Sequence, residues 1–95
     1  MAKRVDNNHG SIIDGLRAVG ATVQSLAALG KGAPDIVCGF RSQNFLFEIK
    51  NGSQPPSKRR LTVAEEVWHQ QWKGQVSVIE SLDDALRTIG ATSPD

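Results

Sequence analysis

Cysteine is nearly absent from this 95-residue chain, and the single one, Cys38, excludes both an internal disulfide and a multi-cysteine zinc site. Its neighbours Ile36 and Val37 place it on a buried strand, and its isolation fits a reducing, intracellular setting. Long hydrophobic runs are missing too. No stretch approaches the roughly 18 apolar residues of a membrane-spanning helix. The opening MAKRVDNNHG has no apolar run behind its basic residues, so neither a secretory signal nor a membrane partner is expected. Neither sign of charge dominates, with a net charge of +1, which argues against coating nucleic acid through bulk positive charge. There are only four prolines, and no Ser-His-Asp order, Gly-rich nucleotide fingerprint or zinc-ligand spacing.

What is present describes one ordinary globular domain over residues 1–95, with its core between about 7 and 90. Hydrophobic residues make up 39% and charged residues 22%, well away from the composition of disordered chains. Basic residues cluster at Lys58, Arg59 and Arg60, with Lys31 and Arg41 elsewhere, while Glu65, Glu66, Glu80, Asp83 and Asp84 gather the acidic charge. The basic run reads either as a solvated loop tip or as a grip on phosphates.

Ile12, Ile13, Leu16 and Val19 recur at helical spacing over Ser11 to Val19, with Gly20 where a helix ends. Thr22 to Ala28 suits a first strand, and GKGAPD at Gly30 to Asp35 breaks regular structure. Asp35 to Phe40 and Asn44 to Lys50 form a β-hairpin about a tight polar link. NGSQPPSKRR, Asn51 to Arg60, is a surface loop. Thr62 and Glu65 make a capping box for a second helix carrying Val67, Trp68 and Trp72. Gln75 to Glu80 is a strand, and Ser81 caps a last helix ending at Gly90. The order is α-β-β-β-α-β-α, an α/β domain with a central mixed sheet flanked by helices.

If Arg41 and Ser42 alone form the hairpin loop, Asp35 falls opposite Glu48, with Cβ atoms roughly 4.5–5.5 Å apart. A three-residue loop shifts that register by one. Side chains alternate along a strand, so Leu46, Glu48 and Lys50 share one face and Phe45, Phe47 and Ile49 the other. Two neighbouring carboxylates repel one another unless a cation sits between them. Mg²⁺ suits such a pair, because it takes hard oxygen ligands at roughly 2.0–2.1 Å and is typically held by one or two carboxylates plus a substrate phosphate. Lys50 then stands ready to hold an attacking water and to offset charge building on a phosphate. Alternatively, Asp after Pro is ordinary turn chemistry, and Glu and Lys two apart form an exposed ion pair of little consequence.

The run GKGAPDIVCGF, then NFLFEIK, then LTVAEEVWHQQW resembles the PD-(D/E)xK nuclease superfamily, and within it the virus-type replication-repair nuclease (VRR-NUC) branch. The resemblance spans roughly Asn7 to Ile79, and stand-alone members of this size are similar to small bacteriophage proteins. It implies a restriction-endonuclease-like core and Mg²⁺- or Mn²⁺-dependent hydrolysis of phosphodiester bonds in branched DNA, such as four-way junctions or flaps, in the host cytoplasm. By position, it implies Asp35, Glu48 and the Ile49 backbone carbonyl as metal ligands and Lys50 as the catalytic lysine. A chain this small has little surface for a branched duplex, so a homodimer is expected, with Trp68 or Trp72 as contacts. Two rival readings are a relative that binds branched DNA without cutting it and a non-enzymatic replication interaction module.

The family usually carries an acidic residue in its first helix, where this chain has Val5-Asp6-Asn7-Asn8-His9-Gly10. Asp6 or His9 stands in for it, unless Asp6 and Asn7 simply cap the helix. The family also favours a glutamine where this chain has Glu65. That residue is either only the capping-box partner of Thr62 or a site-facing group, with Gln71 as a further candidate. Lys31, Lys58, Arg59 and Arg60 are the expected backbone-phosphate contacts.

Overall fold

The structure, a computed structural model, describes residues 7–91. Helix α1 spans Asn7–Ala18, β1 Thr22–Ser25, β2 Ile36–Phe40, β3 Gln43–Ile49, α2 Val63–Gln71, β4 Ser77–Ile79 and α3 Leu82–Ile89, the order expected from the sequence. The four strands form one mixed sheet in the order β1-β2-β3-β4, antiparallel except for the parallel β3–β4 pair.

The hairpin is closed by Arg41 and Ser42 alone. Both have positive φ, 51° and 66°, as a type I′ turn requires. Phe40 therefore pairs with Gln43 and Ile36 with Phe47, the two-residue-loop register. Odd-numbered β3 residues face the core, where Phe45 and Phe47 stack at 6.3 Å and Phe47 is fully buried. Ile12 and Leu16 of α1, Ile36 and Cys38 of β2, Ile79 of β4 and Ala85 and Ile89 of α3 complete that core. Helices α1 and α3 thus share one face of the sheet. Gly15 admits them to close approach, because a Cβ there would strike the Leu82 side chain at 2.3 Å.

Several boundaries differ from the sequence reading, among them the start of β4, which is Ser77 rather than Gln75. Helix α1 begins one turn earlier than Ser11, so Asn8 and His9 belong to its first turn. Strand β1 stops at Ser25 rather than Ala28, because the Ser25 hydroxyl accepts the Ala27 N–H and the chain coils into a 3₁₀ turn over Ala27–Leu29.

Helix α2 buries none of its residues fully. Its first turn is held by the GKG loop. Gly32 has φ +84°, a conformation other residues adopt only under strain, and a Cβ there would lie 2.3 Å from the Ala64 carbonyl oxygen. At its last turn, Trp68 stacks at 4.6 Å on Trp72, the residue that caps the helix, outside the core cluster. Trp72 donates its indole N–H to the Gln75 carbonyl, and the Gln75 side-chain amide both accepts from the Leu46 N–H and donates to the Leu46 carbonyl. Gln75 thereby pairs with β3 as a further strand residue would, just before β4 begins.

Candidate metal centre

Asp35 sits at the foot of β2, straight after the buried Pro34, where its N–H donates to the Phe47 carbonyl and carries the hairpin ladder one step further. Its Oδ2 accepts the Ile49 N–H at 2.6 Å. That bond draws the carboxylate across the end of β3, beside Glu48. The Ile49 carbonyl leaves the strand on the same side as its N–H, toward Asp35, because the N–H of the following residue, Lys50, donates the other way to Ile79 of β4.

Glu48 is the unusual member. Its side chain lies on the sheet face opposite Phe47 yet is only 2% exposed, and its Oε1 has no hydrogen-bond partner among the described residues. A buried unpaired carboxylate oxygen is costly. Burial first, then the nearby Asp35 and Glu65 carboxylates, push the Glu48 pKa up from 4.5 to about 8, against a smaller opposing pull from Lys50. A cation against Oε1 removes both penalties at once.

Lys50 Nζ lies 2.9 Å from Glu65 Oε1 and 3.5 Å from Glu48 Oε2. Its burial works to lower its pKa, but the hydrogen bond and charge of Glu65, helped by Glu48, outweigh that and hold it above the ordinary value as an ammonium. Glu65 is reached from α2, where it completes the capping box. Its Oε1 accepts the Thr62 N–H while the Thr62 hydroxyl accepts the Glu65 N–H. Burial works to raise the Glu65 pKa, and the Thr62 N–H and Lys50 overcome it, so Glu65 stays ionised. The cap and the site-facing role, alternatives at the level of sequence, are both filled by one carboxylate.

These groups line one open cleft of about 420 Å³ with His9, Asn51, Gln54 and Lys58. His9 Nε2 stands 3.9 Å from Asp35 Oδ2 across the cleft mouth. Among the described residues, no three His, Cys, Asp or Glu side chains converge as a ready-made metal cage. Two carboxylates and a main-chain carbonyl, all hard oxygen donors, are nevertheless the set that suits a hydrated Mg²⁺ or Mn²⁺.

No family model, curated protein or solved structure matches this chain. The cleft's own side chains therefore carry the reading of its chemistry. Of the residues singled out in the sequence, Asp35, Glu48, Ile49, Lys50, Glu65, His9 and Lys58 come together here. Several others do not. Gln71 is exposed at the far end of α2, and Lys31 and Arg60 are exposed without lining the cleft. Arg59 turns away to pair with Glu80 at 2.9 Å. Asp6 lies outside the described residues.

Three residues that pattern reading passed over also take part. Asn8 donates from α1 to the Lys50 carbonyl at 2.8 Å, fixing the main chain next to Ile49. Asn51 and Gln54 enter the cleft from the loop after β3. Only the earlier start of α1 would have signalled Asn8, and Gly10 inside that first turn obscured it.

Proposed function

We propose that the protein is a metal-dependent endonuclease of the PD-(D/E)xK type, with a VRR-NUC-like core, acting on branched DNA. The observation that carries this reading is the buried Glu48 Oε1, without a hydrogen-bond partner among the described residues, beside Asp35, with Lys50 fixed two residues further along the same face. Asp35, Glu48 and the Ile49 carbonyl would hold the ion. When bound, a divalent metal supplies Lewis-acid polarisation of the scissile phosphate and lowers the pKa of a bound water.

The remaining work falls to the chain. Lys50, locked as an ammonium by Glu65, orients a water for in-line attack and balances charge on the phosphate oxygens. Asn8 keeps the Lys50 main chain from shifting, which matters because misplacement of about 1 Å costs roughly 100-fold in rate. Lys58, which lines the cleft, would supply attraction to a phosphate backbone without base readout. Among the described residues no helix is long and apolar enough to cross a membrane. The proposal includes a symmetric dimer, for which α2 offers the exposed Val63, Val67 and Trp72.

The test incubates labelled four-way junction, flap, linear duplex and single strand with protein in Mn²⁺, Mg²⁺ or EDTA, beside Glu48→Ala and Lys50→Ala. The expected result is metal-dependent cutting of branched DNA, reduced at least about 100-fold in each variant. Folded wild-type protein that cuts none of the substrates overturns the nuclease reading. If it still binds junctions in Ca²⁺, the binding-only reading takes its place.

A further inference from the structure

We propose that the Lys50 ammonium occupies the seat of a second cation, and that the cleft therefore takes one divalent ion and not two. This rests on the metal-centre reading above and adds to it the stoichiometry of the site.

In a two-metal site a carboxylate commonly bridges the ions, one oxygen on each, with the metals about 3.5–4 Å apart. Glu48 is disposed as such a bridge, but its oxygens already differ. Oε1 is buried and free on one side, whereas Oε2 faces Lys50 Nζ at 3.5 Å on the other. The same ammonium reaches Glu65 Oε1 at 2.9 Å, so it stands between the two carboxylates that would have to share a second ion. Glu65 is in addition committed to the Thr62 N–H at 2.9 Å, and turning it toward a metal would break that half of the α2 capping box.

Charge leads to the same count. When ionised, the three carboxylates Asp35, Glu48 and Glu65, less the Lys50 ammonium that contacts two of them, leave two negative charges at the centre itself, which one divalent ion neutralises, while Lys58 lines the same cleft without pairing with them. A second divalent ion would leave the centre positive before any phosphate arrived. It would also have to displace a lysine held by two anions. The ammonium is a built-in monovalent substitute, compact and strongly hydrated where it meets solvent.

The test titrates Mn²⁺ alone into the full chain by calorimetry and counts bound ions by electron paramagnetic resonance, with a thermal melt verifying that each protein is folded. Wild type is expected to bind one ion per chain with the six-line signal of an isolated Mn²⁺. Lys50→Gln is expected to bind two, with the signal broadened by spin coupling, and Lys50→Gln/Glu65→Gln to return to one. Lys50→Arg, which keeps the cation, is expected to stay at one. Two ions in wild type or in Lys50→Arg overturn the proposal, as does a folded Lys50→Gln that binds only one. Should Lys50→Gln fail to fold, the wild-type and Lys50→Arg counts decide. Two ions in a wild type that still cuts DNA remove this inference alone, whereas no bound ion in wild type removes the metal-centre reading as well.

Discussion

Glu48 concentrates the tension of the site in one side chain. Its pKa is raised from 4.5 to about 8, so across that interval the metal-free folded protein holds a proton that the unfolded chain has released. Unfolding is then favoured as pH rises, and the Glu48 contribution reduces stability progressively from about pH 4.5 to about pH 8 and levels off above. Glu48→Gln, which cannot ionise, is expected to melt higher than wild type at pH 8 in EDTA and to show a flatter dependence of Tm on pH between 5 and 8. Parallel curves for the two proteins would contradict the assignment. The same proton must leave when an ion binds, so calorimetry of Mn²⁺ binding at pH 7 in buffers of different ionisation heat should register net proton release, absent in Glu48→Gln.

The elements show which features of a fold are legible in sequence. The hairpin register was open to reading to within one residue, because a period-two pattern leaves little freedom, and the two-residue-loop alternative, the one observed, placed Asp35 opposite Glu48. The Thr62–Glu65 box was equally plain, since its partners lie three residues apart. Contacts between distant segments were hidden. Nothing local says that Asn8 will meet the Lys50 carbonyl 42 residues away, or that Arg59 will turn to Glu80. Gly32 is another such contact, and it docks α2. A methyl group there meets the Ala64 carbonyl and a backbone with positive φ, so Gly32→Ala is expected to cost more than about 1 kcal/mol in chemical denaturation. Because α2 carries Glu65, the same substitution should lower Mn²⁺-dependent cutting while Asp35 and Glu48 remain intact. Unchanged activity would mean that α2 finds its place without the GKG loop.

Across the whole molecule, the buried cluster lies between the sheet and the α1–α3 layer, and α2 stands apart with Val63 78% exposed and Val67 and Trp72 each 45% exposed. The proposed dimer uses that surface, and sedimentation at micromolar concentration should return a species of twice 10.3 kDa. A Val63→Glu/Val67→Glu variant should return the monomer. A wild type that is monomeric with cutting intact removes the dimer from the proposal.

A three-residue β4 covers only part of β3, and strand groups left unpaired beside it would invite another chain to add itself there. Gln75 closes that opening with a side chain, satisfying both the N–H and the C=O of Leu46, while Trp72 holds the Gln75 carbonyl in place. One amide group thus separates a closed sheet edge from a template for cross-strand aggregation.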